Sequence, residues 1–154
     1  MKRNVWMAFL LAPFLFAGCG KTDTECVPAT VASEKAAMVA YCTANNITYT
    51  EHASGILYEV MAPGLGTQPA LTNTVSTVYT GKLLNGTQFD ASANPVSFLL
   101  SGVIKGWQIG IPLIKKSGRI KLVIPSSLAY GCNGSGSIPA NSPLYFEVSL
   151  TDVR

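Results

Sequence analysis

Most of the chemistry open to this 154-residue chain lies in four cysteines, one histidine and a set of two tryptophans, six tyrosines and six phenylalanines. A thiol nucleophile needs a base within hydrogen-bond reach. His52 is the only histidine and lies far along the sequence from Cys132, so cysteine catalysis is not expected. His52 itself reads as a surface residue near a strand start. Phe89, Trp107 and Phe146, taken singly, read as core residues. By the same default Tyr130 in its glycine-rich segment is a surface aromatic, and Asp90 is a turn former. The densest basic group, Lys115, Lys116 and Arg119, reads as a solvated turn and strand start. No basic cluster with interleaved aromatics occurs, so a nucleic-acid surface is not expected.

The first residues read as an address. Lys2 and Arg3 form a positive segment, and residues 5–16 are an apolar run broken only by Pro13. The run is too short and wrongly flanked for a spanning helix. It ends at Leu15-Phe16-Ala17-Gly18-Cys19, which resembles the bacterial lipobox although Phe16 is unusual there. The resemblance implies cleavage before Cys19, lipid on its sulfur and a location in the cell envelope, facing the periplasm or the exterior. An ordinary secretory signal is the alternative. The expected organisation is a lipoprotein signal peptide at 1–18, a lipidated tether with a short helix at 19–50, and the main folded domain at 51–154. With Lys2 and Arg3 removed, the net charge falls from +3 to near +1. An oxidising compartment permits one bridge among Cys26, Cys42 and Cys132. Cys26–Cys42 is the expected pair, because it closes a local loop around one helix.

The elements that must carry these residues are short. Ser33 is a plausible N-cap for a helix through Cys42, closed by Asn45-Asn46. Strands are expected at 56–61, 75–84, 87–89 and 96–100, with Asn85-Gly86 signalling a type I′ hairpin. Ile104, Trp107 and Ile111 fall at helical spacing within 103–111. Residues 119–124 and 144–151 alternate with period two, and one face of each packs on a core. Between them, 126–142 is a long Gly/Ser/Asn/Pro-rich loop, a type of connection that is often functional. Pattern alone therefore gives an α+β domain, an antiparallel sheet covered by a short helix, preceded by a helical spacer.

A more specific likeness lies in the order of the short motifs. Tyr79-Thr80-Gly81-Lys82-Leu83 is followed by Gly86-Thr87-Gln88-Phe89-Asp90-Ala91-Ser92 and Val103-Ile104-Lys105-Gly106-Trp107. Ile124-Pro125-Ser126, Leu128-Ala129-Tyr130-Gly131, Ile138-Pro139-Ala140-Asn141 and Leu144-Tyr145-Phe146-Glu147-Val148 come next. From about Gly55 to Val153 the chain resembles the FKBP-type peptidyl-prolyl cis-trans isomerases. The resemblance implies a half-barrel of five or six antiparallel strands wrapped around the short helix. It implies an apolar cleft lined by Tyr79, Phe89, Asp90, Val96, Val103, Ile104, Trp107, Tyr130, Ile138 and Phe146. Trp107 would be the floor under a proline ring, and the Ile104 N–H and the Tyr130 hydroxyl would bind substrate carbonyls. Asp90 would sit low in the pocket, bonded to Tyr79.

The implied substrates are X-Pro segments of exported proteins, and macrolides such as rapamycin are implied ligands. The expected state is a monomer held to the membrane by its lipid. The alternative is a binding or chaperone module with little turnover. No histidine-rich tail or inserted flap interrupts the pattern, so neither a metal site nor a cofactor is expected. The segment 91–95 is shorter than in many relatives and lacks the arginine that often pairs with the aspartate. Val96 occupies a place that is often aromatic, and Ser137 one that is often larger and apolar.

Overall fold

The computed structural model describes residues 26–154, so the signal segment and Cys19 lie outside the described residues. Helix α1 (Val31–Ala44) is followed by strands β1 (Thr50–Glu51), β2 (Leu57–Ala62), β3 (Thr74–Leu83) and β4 (Gln88–Leu99). Then come helix α2 (Lys105–Gly110), β5 (Arg119–Ile124) and β6 (Leu144–Val153). The strands form one sheet, ordered β1-β2-β5-β6-β3-β4, antiparallel at every junction. This is the expected α+β architecture.

The alternation of β5 explains the two layers. Ile120, Leu122 and Ile124 point to one face, where they pack with Trp107, Ile111, Phe146 and Val148 under α2. Val123 points to the other face and meets Met38 and Cys42 of α1, with Leu57 and Tyr145 beside it. The expected spacer helix is therefore docked on the back of the sheet. It starts earlier than Ser33, because Thr30 is the N-cap and its side chain accepts the Ser33 N–H.

Helix α2 sits unusually close to β5. A Cβ on Gly106 would run into Ile124, and one on Gly110 would lie 2.6 Å from a Leu122 methyl. Both glycines are buried on one helix face, four residues apart.

The hairpin differs from the expected type I′ turn. Only Gly86 has positive φ, +89°. The Gly86 N–H donates to the Leu83 carbonyl and the Leu83 N–H to the Thr87 carbonyl. These bonds enclose a three-residue loop in which glycine takes the left-handed position. The two short strands expected at 87–89 and 96–100 are one continuous edge strand. It is interrupted by a bulge, since Tyr79 pairs Ser92 but Thr77 already pairs Val96.

The cysteine pairing is a correction. The disulfide joins Cys26 to Cys132, with a Cα–Cα distance of 5.4 Å across 106 residues. Cys42 is free and fully buried between α1 and the sheet. Burial first, then the charge of Glu59, pushes its thiol pKa up. Cys42 thus faces the core, while the chain ahead of the helix runs towards the β5–β6 loop.

Candidate active site

A cleft of about 320 Å³ opens at the start of α2, lined by Tyr79, Phe89, Asp90, Phe98, Gly102, Val103, Ile104, Trp107, Tyr130 and Phe146. The antiparallel pairing of β6, β3 and β4 sets Phe146, Gly81 and Asp90 opposite one another, with Tyr79 two residues further along β3. Helix α2 lays Trp107 across them, and the long loop after β5 adds Tyr130 at the rim.

Trp107 is 4% exposed and organises the cleft. Its ring meets Tyr79 at 5.2 Å, Phe146 at 5.3 Å and Phe98 at 5.9 Å between centroids, each pair close to perpendicular. Phe89 stands edge-on to Phe146 at 5.5 Å. Edge-to-face contacts of this kind suit the ring quadrupoles and add specificity beyond area burial. Gly81 makes the last pair possible, because a Cβ there would lie 2.7 Å from Phe89 and 2.8 Å from Phe146.

The polar groups are few. The Tyr79 hydroxyl donates to an Asp90 carboxyl oxygen at 2.7 Å. Burial, with the Asp90 bond and charge added, pushes the Tyr79 pKa up to about 12. Tyr79 therefore stays a neutral donor at ordinary pH. The Ile104 N–H precedes the first turn of α2 and finds no acceptor among the described residues. The Trp107 indole N–H is buried without a partner among the described residues. The Gln108 amide holds the approach to the helix by donating to the carbonyls of Val103, at 2.7 Å, and Ser101.

Eight of the ten residues expected from the resemblance meet at this cleft. Val96 and Ile138 do not line it. Val96 lies farther along the edge strand and is 38% exposed, whereas Ile138 is 7% exposed and packed into the core. Phe98, two residues beyond Val96, supplies an aromatic wall. Asp90 is exposed at the rim rather than low in the pocket, because β4 is an edge strand of the sheet. Phe98, Gly102 and Gln108 were not expected. An aromatic on a strand leading to the helix was the only available signal, and it applied to Phe98 alone.

The fold is an antiparallel sheet with one short helix across its face and an aromatic cleft at the helix start. The lining contains no serine, cysteine, histidine or lysine. A sequence profile of the family described as FKBP-type peptidyl-prolyl cis-trans isomerase matches residues 66–151. The chain belongs to this family. It is 48% identical over 105 residues to FkpA of Escherichia coli, an FKBP-type peptidyl-prolyl cis-trans isomerase, covering 66% of this chain and 39% of that one. It is also 48% identical over 105 residues to a probable isomerase of this type from Haemophilus influenzae, covering 66% and 44%. The match thus spans about two fifths of the length of these relatives. Among solved structures, the fold matches Escherichia coli FkpA with a TM-score of 0.72 at 41% identity, over 80% of this chain and 61% of that one. It matches a Pseudomonas syringae peptidyl-prolyl cis-trans isomerase with a TM-score of 0.69 at 33% identity, over 82% and 98%.

Proposed function

We propose that the chain accelerates cis-trans isomerisation of X-Pro bonds in exported proteins, using the Trp107-floored cleft. The observation that carries this reading is the aromatic box itself, with one unpaired backbone donor at Ile104 and one exposed hydroxyl at Tyr130. The barrier to amide rotation is about 18–20 kcal/mol and comes from resonance. Twisting removes resonance and draws charge off the carbonyl oxygen. Water favours the planar, more polar ground state, so an apolar cleft lowers the barrier by excluding it. The rest must come from walls that fit the twisted form better than either planar isomer. Trp107 would take the proline ring, the Ile104 N–H would take one carbonyl and Tyr130 a second. Asp90, held by Tyr79, would stand at the mouth. X-Pro bonds are the suitable substrate because their cis and trans forms differ by only about 0.5–1 kcal/mol.

The lipobox-like segment supports a second part of the reading. Cleavage before Cys19 and acylation of its sulfur would anchor the chain, as a monomer, to an envelope membrane through the few residues between Cys19 and Cys26, leaving the folded domain to act on folding chains. Two acyl chains suffice for stable anchoring. The test has two arms. The purified chain should speed isomerisation of an Ala-Leu-Pro-Phe-type peptide, and rapamycin should inhibit it. Binding of the peptide without acceleration would replace the enzyme with a binding module. Separately, Cys19→Ser should release the chain from the membrane fraction or leave it unprocessed. Normal processing and fractionation of that variant would contradict the lipid anchor.

A further inference from the structure

Tyr130 sits on the long loop between β5 and β6, which has little regular structure of its own. The loop between β5 and β6 has two single 3-10 turns and glycines 131, 134 and 136 all at positive φ. Tyr130 is 38% exposed, so packing alone does not fix it. What holds the loop is the segment ahead of the sheet. Glu34, in the first turn of α1, is 7% exposed, and both its carboxyl oxygens are used on Ser126. One accepts the Ser126 N–H at 2.8 Å, and the other accepts the Ser126 hydroxyl. Ser126 is 1% exposed and opens the 3-10 turn Ser126–Leu128, four residues before Tyr130. Two further ties act on the far side of Tyr130. One is the Cys26–Cys132 disulfide. The other is Asn141, whose amide donates to the Val27 carbonyl and accepts the Ala29 N–H. The Asn141 N–H also closes onto the Gly131 carbonyl.

We propose that Glu34 is a positioning residue of the isomerase site: by capping the Ser126 turn it sets the loop that holds Tyr130 over the cleft. This rests on the reading that Tyr130 binds substrate there. A buried carboxyl on two donors is a costly way to stabilise a surface turn, since leaving any of these groups unpaired is penalised. It makes sense where the position of the loop matters. The segment 26–34 would then be part of the catalytic apparatus rather than a spacer.

The test is a double-mutant cycle on the full-length chain, reading kcat and KM separately alongside the thermal midpoint. Glu34→Ala is expected to lower kcat/KM about three- to tenfold, mostly through KM, the scale of one hydrogen bond to substrate. Glu34→Gln keeps one acceptor and adds a donor for the Ser126 hydroxyl, and should restore kcat/KM to within about twofold of the parent. In a Tyr130→Ala background, Glu34→Ala should cause no further loss. If Glu34→Ala fails to fold, Ser126→Ala, which removes one of the two bonds, replaces it in the cycle. The inference is overturned if Glu34→Ala or Ser126→Ala lowers the midpoint but leaves kcat/KM unchanged, or if either loss multiplies with that of Tyr130→Ala. If Tyr130→Ala itself leaves KM unchanged, the assignment of Tyr130 to substrate falls first, and the role of Glu34 with it.

Discussion

The Tyr79 phenol shows how a rim contact becomes a pH-dependent one. Folding raises its pKa from 10 to about 12, so the folded state holds the proton more tightly than the unfolded chain. The linked stability is complete below pH 10 and is lost as pH rises through about 12. Denaturant unfolding of Tyr79→Phe should therefore show a smaller alkaline loss than the parent over that window. Near neutral pH, removing one partly solvated bond to the exposed Asp90 should cost about 1 kcal/mol or less. Trp107 is a different case, because its ring contacts three others. Trp107→Leu should lower stability by about 2 kcal/mol and remove most peptide binding, checked by unfolding and by titration with a proline peptide. Sequence reasoning found Trp107, Tyr79, Phe89 and Phe146 through motif order, not through their individual character. It misplaced Val96 and Asp90 because the bulge on β4 and its edge position decide what those side chains face, and neither is written locally.

At the scale of elements, the seat of α2 on β5 decides whether the cleft has a floor. Gly106 lets the helix approach Ile124, and a methyl group there must push the two apart. Gly106→Ala should cost about 1–3 kcal/mol by overpacking and weaken peptide binding in parallel, since Trp107 is the next residue. The strands flanking this contact were legible because period two and period three-to-four differ plainly at 119–124 and 104–111. The disulfide was not. Loop closure favours nearby partners, but the direction of the chain ahead of α1 brings Cys26 to Cys132 and leaves Cys42 in the core. Reduction of Cys26–Cys132, or its replacement by serines, should lower stability by about 2–4 kcal/mol. Reduced and oxidised chains compared in the same denaturant series measure this.

Over the whole molecule, the two faces of one sheet do different work. One face buries α2 and opens the cleft. The other buries α1, whose first turn returns to the loop at the cleft mouth through Glu34. The docking of α1 was not deducible from its composition, because a short helix with scattered apolar residues could equally have been a free spacer. Its contact with Leu57, Val123 and Tyr145 exists only once the alternation of three separate strands is aligned. The segment ahead of the sheet is tied to the domain by the Cys26–Cys132 disulfide, by Asn141 and by Glu34.

The proposed activity is rotation of a prolyl bond within the aromatic cleft. Exchange between the cis and trans resonances of an X-Pro peptide, followed by NMR with catalytic amounts of the chain, measures that rotation without any coupled reaction. Faster exchange is expected with the parent chain, with a loss of at least about tenfold for folded Trp107→Leu. Equal exchange rates with and without the parent chain, or undiminished acceleration by Trp107→Leu, would contradict that activity.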